Sequence, residues 1–189
     1  FDAGNPRPAD PGVDGRIKVA SFNVLNYFTT LGQRGADTLD ELARQQAKLV
    51  SALSGLDADV VGLLELENNG YGPTSAIATL VNALNAAVGA GTYAYIDPGL
   101  PKLGTDAIAV GMIYKTGTVR PVGSPAVLDK SVDARFDSDN QRPSLAQTFE
   151  DPATGALFTP VINHLKSKGS AAALPGDADA GDGQGFSNA

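Results

Sequence analysis

Three short apolar runs in the sequence each lead into a side chain that can hold a metal ion or a phosphate. The runs and the residues that follow them are Ile17 to Phe22 with Asn23, Val60 to Leu64 with Glu65, and Phe158 to Ile162 with Asn163 and His164. Short apolar runs of this kind are typical of buried strands. Because ligands of α/β proteins bind beyond the carboxyl ends of strands, we expect these polar side chains to converge on one pocket.

Glu65 follows a continuous apolar run, where a carboxylate loses part of its hydration unless a cation or a hydrogen-bond donor meets it. A carboxylate in that position is a natural ligand for a hard divalent ion. The alternative is that Glu65 only marks the point where the strand leaves the core. Glu67 would point to the same side of a continuing strand, so the spacing does not separate the two acids.

Asn23 and His164 each allow a chemical and a structural interpretation. The Asn23 amide can bind a metal through its oxygen or through a water, or it can cap the turn that follows, and Asn26 shares that ambiguity. His164 is the only histidine of the chain and precedes Leu165-Lys-Ser-Lys-Gly. An imidazole beside a basic loop can donate to a phosphoryl oxygen or to a leaving oxygen, although a lone histidine is often structural.

Arg142 opens the sequence Arg-Pro-Ser-Leu, where proline restricts the backbone just ahead of a strand. A guanidinium held there can bind a phosphate through two parallel hydrogen bonds. A surface ion pair with Asp137 or Asp139 is the alternative. The residue types alone do not choose between these two interpretations.

Composition restricts the kind of site that the chain can form. The 189 residues include no cysteine and one histidine, which excludes thiolate chemistry, cysteine-based zinc sites and a multi-histidine metal cage. Any bound metal would have mainly oxygen ligands, which favours Mg²⁺, Mn²⁺ or Ca²⁺. The net charge of −7 argues against a broad basic face for DNA, but a divalent cation and a few placed basic side chains can still bind one phosphate.

The order of the elements predicts an α/β fold with parallel βαβ units first and antiparallel strands afterwards, hence a mixed sheet. Strands are predicted at Ile17 to Phe22, Asp59 to Leu64, Tyr93 to Ile96, Ala107 to Tyr114, Thr118 to Val122, Ser144 to Phe149 and Leu157 to Ile162, and helices at Asp40 to Ser54 and Ile77 to Val88. We interpret residues 1–16 as a linker or arm and 17–189 as one domain, within which 170–189 form a flexible acidic, glycine-rich loop. No apolar run is long enough to span a membrane.

An ordered set of motifs resembles the endonuclease/exonuclease/phosphatase superfamily. The motifs are Ser21-Phe-Asn23, Asp59-Val-Val-Gly-Leu-Leu-Glu65, Gly104-Thr-Asp106-Ala-Ile, Arg142-Pro and Asn163-His164-Leu-Lys-Ser-Lys-Gly. Further stretches, Phe22-Asn-Val-Leu-Asn-Tyr-Phe28, Leu64-Glu-Leu-Glu-Asn68 and Asp182-Gly-Gln-Gly, are similar to the large extracellular endonucleases of bacteria. The resemblance implies a deoxyribonuclease-I-like, four-layer α/β sandwich with two mixed sheets, and metal-dependent hydrolysis of phosphodiesters by an extracellular or cell-surface protein.

The resemblance also implies roles for individual residues. Glu65 would bind the catalytic Mg²⁺, Asn23 would position metal-bound water or phosphate, and His164 would contact the scissile phosphate. Asp106 would orient that histidine. The residues that would contact substrate phosphates are Arg142, Asn163 and Lys166.

The implied substrate is DNA or RNA, recognised through its backbone without sequence specificity. A phosphomonoester or phospholipid substrate, or a non-catalytic binding module of the same fold, are the alternatives. The family pattern continues with an Asp-x-Asn strand end and a final Asp-His pair, and neither occurs after His164. We therefore expect the chain to be the N-terminal part of the domain, truncated at its C-terminus and with little activity alone.

Overall fold

The computed structural model of the chain describes residues 14–136 and 141–165. Lys166, most of the predicted N-terminal arm and the acidic tail lie outside the described residues. The strands are β1 (Val19–Tyr27), β2 (Val60–Glu67), β3 (Tyr93–Tyr95), β4 (Ile108–Lys115), β5 (Arg120–Leu128), β6 (Ser144–Glu150), β7 (Leu157–Phe158) and β8 (Val161–Ile162), and the helices are α1 (Leu39–Leu56) and α2 (Ala76–Val88).

Both predicted helices are present, and local capping sets their ends. Helix α1 begins after Thr38, whose side chain accepts from the Glu41 backbone N–H while the Glu41 carboxylate accepts from Thr38 N, a capping box. It ends at Asp57, which adopts the left-handed conformation common at helix C-termini. Helix α2 begins after Ser75, its N-cap, whose Oγ accepts from Ala78 N.

The first sheet is mixed, as predicted. Its strand order is β1-β2-β4-β3, with β1 and β2 parallel and the remaining pairs antiparallel. Helix α1 makes the crossover between the two parallel strands. The sequence placed the ends of β1 and β2 too early, since both strands continue past Asn23 and Glu65, through an irregular stretch, to Tyr27 and Glu67.

The second sheet is antiparallel and is centred on β6, which pairs with β5 on one side and with β7 and β8 on the other. Strand β5 runs to Leu128, farther than predicted. The single strand predicted at Leu157 to Ile162 is wrong, because two short strands flank Thr159 and Pro160. Proline has no N–H to donate to the ladder, which interrupts the strand there.

The two sheets pack face to face, and the helices cover the outer face of the first sheet. One buried cluster joins α1 and α2 to β2, and a second, which includes Met112, Leu145, Phe149 and Ile162, lies between β4, β6 and β8. The described residues therefore form three of the four expected layers, helices on a mixed sheet on an antiparallel sheet. None of the helices described is long and apolar enough to cross a membrane.

Candidate active site

Five strand termini lie together at one end of the two sheets: the ends of β1, β2 and β8 and the starts of β4 and β6. Strands β1 and β2 finish there side by side, and Glu67 of β2 pairs with Ile108, the first residue of β4. In the second sheet Leu145, near the start of β6, pairs with Ile162 at the end of β8. The polar side chains that follow the three apolar runs thus lie together at one end of the two sheets, as predicted.

The backbone at this end departs from regular strand geometry in both parallel strands. The β1–β2 register shifts between Asn23 and Tyr27, and the β2–β4 register shifts between Leu63 and Leu66. Leu25, Asn26 and Glu65 have φ values of 55°, 50° and 67°, in the left-handed region that non-glycine residues rarely occupy. Such residues cost roughly 1–3 kcal/mol each and cluster at functional sites.

Hydrogen bonds hold the Glu65 carboxylate in the strained segment. Asn23 Nδ2 donates to Glu65 Oε1 at 2.8 Å, and Asn26 N donates to Oε2 at 3.1 Å. Asn23 also makes the predicted turn contact, because its Oδ1 accepts from Leu25 N at 2.7 Å. A carboxylate oxygen has two lone-pair sites, so each Glu65 oxygen can accept or coordinate once more.

His164 lies over the same carboxylate, with its Nε2 3.7 Å from Glu65 Oε1, which is beyond hydrogen-bond length. Its Nδ1 is buried and has no hydrogen-bond partner among the described residues. Burial lowers the pKa of His164, Arg142 lowers it further, and the nearby Glu65 and Asp106 carboxylates oppose this only in part. The imidazole is therefore neutral at pH 7, with one nitrogen able to donate and the other to accept.

Asp106 directs its carboxylate to arginine side chains. Its Oδ2 accepts from Arg142 Nε at 2.9 Å, and its Oδ1 accepts from Arg34 Nη1 at 3.2 Å. No hydrogen bond joins Asp106 to His164 among the described residues, so its effect on the histidine is electrostatic. Arg142 thus has an ion-pair partner that the sequence interpretation did not name, and Asp137 and Asp139 lie outside the described residues.

The loop that carries Asp106 is fixed by Asn68, a buried residue whose role the sequence did not reveal. Asn68 Nδ2 donates to the carbonyls of Leu103 and Asp106, each at 2.9 Å, and its Oδ1 accepts from Leu103 N at 3.0 Å. Gly104 adopts a φ of 67°, and a Cβ there would lie 2.7 Å from Pro143 Cδ. The glycine of the predicted motif therefore lets the Asp106 loop approach the residue next to Arg142.

Glu67 differs from Glu65 in its surroundings. This difference separates the roles of the two acids, which their spacing in the sequence could not do. Its Oε2 accepts from Thr29 N, Thr29 Oγ1 and Thr30 N at 2.7–3.1 Å. Burial acts to raise the pKa of Glu67, but these hydrogen bonds outweigh it and hold the pKa below its usual value. Glu67 therefore anchors the β1–α1 loop, while Glu65 faces His164.

Asn163 joins the end of β8 to the start of β6, at one end of the second sheet. Its Oδ1 accepts from Ser144 Oγ at 2.6 Å, and its Nδ2 donates to Val161 O at 3.3 Å. Its side chain thus holds the end of β8, which His164 follows, beside the start of β6.

The donor set fits a hard divalent cation bound through few protein ligands. No group of three or more His, Cys, Asp or Glu side chains suited to a metal lies within residues 14–136 and 141–165. Glu65 nevertheless offers a carboxylate, and the neighbouring Asn26 has a buried Oδ1 without a partner in the same ranges. Mg²⁺ keeps several waters and binds proteins through one or two carboxylates, which this arrangement can supply.

Several solved structures share the fold of this chain. The chain is similar to an endonuclease/exonuclease/phosphatase family protein from Bacteroides thetaiotaomicron (16% identity, TM-score 0.50, 80% of this chain and 50% of that one). It is also similar to the human Nocturnin catalytic domain with bound sulfate (18%, 0.50, 80% and 51%) and to ANGEL2, a 2',3'-cyclic phosphatase in complex with adenosine-2',3'-vanadate (16%, 0.52, 79% and 41%).

These similarities confirm the fold that the motifs implied, a deoxyribonuclease-I-like α/β fold of the endonuclease/exonuclease/phosphatase type. The chain spans about half the length, or less, of the solved structures that it matches. No family model and no curated protein sequence matches the chain.

Proposed function

We propose that this chain belongs to a metal-dependent phosphodiesterase of the endonuclease/exonuclease/phosphatase superfamily, acting on DNA or RNA as a secreted or cell-surface enzyme. The observation that carries the proposal is the convergence of two side chains on Glu65 of β2: Asn23 Nδ2 of β1 lies 2.8 Å from Glu65 Oε1, and Nε2 of His164, which follows β8, lies 3.7 Å from the same oxygen. A fold shared with a 2',3'-cyclic phosphatase supports phosphoester chemistry as the general reaction class.

Each side chain has a role that its geometry allows. Glu65, held by Asn23 and Asn26, would hold the divalent cation. When bound, that cation stabilises charge on the phosphoryl group and lowers the pKa of water. His164, neutral at pH 7, would donate one hydrogen bond to a phosphoryl oxygen, and the Arg142 guanidinium, fixed through Nε, presents its remaining N–H groups to the phosphate.

The test uses the natural protein at its full length, supplied with Mg²⁺ and a plasmid DNA substrate. Glu65→Gln removes the charge that would hold the cation, and His164→Ala removes the donor. We expect each to reduce the cleavage rate by about 10²-fold or more. Glu150→Gln is the matched control, because Glu150 pairs with Arg120 at the opposite end of the sheets and should leave the rate unchanged.

Unchanged cleavage in both site variants would contradict the proposal. The same preparation should be tested on RNA, on a 2',3'-cyclic nucleotide, on phosphomonoesters and on phospholipid head groups, because the fold alone does not choose among phosphoesters. Hydrolysis of only one of the non-nucleic-acid substrates would keep the reaction class and replace the substrate. If no phosphoester is hydrolysed, the remaining interpretation is a binding module of the same fold.

A further inference from the structure

Arg34 lies in the loop between β1 and α1, outside every motif that suggested a function. Its guanidinium and that of Arg142 bind the two oxygens of the same Asp106 carboxylate, at 3.2 and 2.9 Å. Together two positive charges and one negative charge leave a local charge of +1 beside His164 and Glu65, in a chain whose net charge is −7. This small basic cluster is therefore located where an anionic substrate would bind.

The backbone around Arg34 is held on both sides. Gly32 N donates to Ala36 O at 3.1 Å and closes a turn with Arg34 inside it. Gly35 packs so closely that a Cβ would lie 2.6 Å from Asn26 O and 2.8 Å from Phe28 Cβ. At the start of the loop Glu67 fixes Thr29 and Thr30. An exposed arginine that only aids solubility needs no such support.

Both arginines retain unused donors. Arg142 binds Asp106 through Nε and Arg34 binds it through Nη1, and neither makes another hydrogen bond within the described residues. A guanidinium has five N–H donors, so most of them are available to a ligand. Arg142 is the more buried of the two, with 16% of its side chain exposed against 47% for Arg34.

The two arginines also differ in their electrostatic effect on His164. Arg142 influences the pKa of His164, whereas Arg34 does not number among the groups that do. The two guanidinium groups bind different oxygens of the carboxylate, Arg142 at Oδ2 and Arg34 at Oδ1, so Asp106 bridges them. A phosphate held by Arg142 would be the one beside His164, and a phosphate held by Arg34 would be its neighbour along the strand.

We propose that Arg34 and Arg142, aligned by Asp106, form a clamp for two consecutive phosphates of a polynucleotide, with Arg34 contacting the phosphate that flanks the scissile one. The proposal rests on the proposed function and specifies its substrate as a strand with at least two adjacent phosphodiesters. Arg34 is here a binding residue for the flanking phosphate and takes no part in bond cleavage.

The experiment measures binding of a fluorescein-labelled duplex oligonucleotide by anisotropy, in EDTA so that no cleavage occurs, over a series of salt concentrations. We expect Arg34→Gln to weaken binding about tenfold and to reduce the slope of log K against log salt by about 0.9, the value of one lost phosphate contact. Arg120→Gln, the same change at the opposite end of the sheets, should alter neither quantity. Arg34→Lys keeps the charge and should preserve the slope while losing part of the affinity.

A second measurement, in the natural full-length protein with Mg²⁺, separates the flanking phosphate from the scissile one. On an oligonucleotide Arg34→Gln should raise KM with kcat nearly constant, and on bis(p-nitrophenyl) phosphate, which has a single phosphate, it should lower kcat/KM much less than on the oligonucleotide. If the role of Arg34 were only structural, the substitution would change the kinetic constants for both substrates alike.

The outcomes are distinguishable. If the unmodified protein binds the oligonucleotide and Arg34→Gln binds it equally well with the same slope, the clamp is refuted while the proposed function stands. If the unmodified protein neither binds the oligonucleotide in EDTA at low salt nor cleaves it with Mg²⁺, the clamp and the nucleic acid substrate both fall. Thermal melting of Arg34→Gln checks that the variant is folded. Should it unfold, Arg34→Lys tests the contact instead, through a loss of affinity at an unchanged slope, and an unchanged affinity would refute the clamp.

Discussion

Strand β2 has an acidic residue at each end, and the two are surrounded differently. Asp59, just before the strand, is buried, its Oδ2 accepts from Lys18 N at 2.8 Å and its Oδ1 lies 3.9 Å from Lys115 Nζ. Glu65, near the other end, shares its surroundings with a buried His164 Nδ1 and a buried Asn26 Oδ1 that have no partners among the described residues. Only one further buried side-chain atom in those residues lacks a partner, Ser54 Oγ of α1.

The left-handed residues show the same contrast. At the Asp59 end Asp57 has a φ of 46°, which its position as the C-cap of α1 explains, and its carboxylate binds Lys115 Nζ at 2.7 Å. At the Glu65 end Leu25, Asn26 and Glu65 are left-handed without capping a helix. Buried polar groups in folded proteins are normally paired, so strain together with unpaired groups indicates an end that is arranged for a ligand.

The largest expected effect concerns Asn68. It tests how far the end of the sheets that carries Glu65 and His164, the site end, depends on structural hydrogen bonds. Asn68→Ala leaves Leu103 N, Leu103 O and Asp106 O without their side-chain partner. We expect the free energy of unfolding, measured with urea, to fall by about 3 kcal/mol, since each buried group left unpaired costs about 1–3 kcal/mol. Oligonucleotide binding by the folded fraction should also weaken, because the Asp106 loop loses its anchor. Unchanged stability would show that the loop is held by something other than Asn68.

At the opposite end the expected effect is on stability alone. Asp59→Ala leaves Lys18 N without its acceptor and Lys115 with Asp57 as its remaining carboxylate partner. The free energy of unfolding should fall by about 1–2 kcal/mol. The cleavage rate per folded molecule, scaled by circular dichroism, should stay within about twofold of the unmodified protein. A loss of rate comparable to that of Glu65→Gln would remove the distinction between the two ends.

The elements and the general place of the site were predictable because local patterns control them. Helix caps, apolar periodicity and the order of the strands follow from neighbouring residues, and parallel strands must end on the same side. The fold then brings Asn23, Glu65 and His164 together, as expected from their positions after strands. The strand boundaries were less accurate at Asn23 and Glu65, where hydrogen bonds between two strands maintain a backbone that no local preference favours.

The roles of Arg34 and Asn68 could not be predicted from the sequence, because both residues act through contacts with distant parts of the chain. Asn68 makes its hydrogen bonds to a loop about 35 residues away, and Arg34 meets Asp106 across 72 positions. A surface arginine between polar and glycine residues has no periodicity to distinguish it. Likewise, the spacing of Glu65 and Glu67 could not separate them, because the difference lies in which loop reaches each carboxylate.

Acid should affect the end of the sheets that carries Asp59 through Asp151. Arg16 donates two hydrogen bonds to its carboxylate, at 2.9 and 3.1 Å. These bonds are the main reason that the pKa of Asp151 lies well below its usual value, and Ala153 N and Thr154 Oγ1 contribute further. Because the pKa is lower in the folded state, the stabilisation is complete above about pH 4 and is lost as pH falls through the folded-state pKa.

Asp151→Asn therefore lowers the melting temperature at pH 7, and the gap to the unmodified protein narrows as the pH is reduced to about 3 and below. Melting followed by circular dichroism at several pH values checks this. Asp129→Asn is a suitable control, because within residues 14–136 and 141–165 the Asp129 carboxylate is bonded inside its own turn, to Ser131 N and Ser131 Oγ. A gap that stays constant with pH would mean that the Asp151 charge does not stabilise this end.

The smallest expected effect concerns the strain at the site end. Leu25 has a φ of 55° and is 72% exposed, and its backbone N–H and C=O bonds to Asn23 and Gln45 do not need its side chain. Leu25→Gly should relieve the roughly 1–2 kcal/mol cost of a left-handed residue, against about 0.5–1 kcal/mol for the greater freedom of glycine when unfolded. The free energy of unfolding should therefore stay level or rise by up to about 1.5 kcal/mol. Val19→Gly, an exposed position of the same strand without a left-handed backbone, should instead lose about 0.5–1 kcal/mol or more. Equal losses at both positions would mean that the site end stores no strain, and the contrast between the two ends would then rest on the unpaired groups of His164 and Asn26 alone.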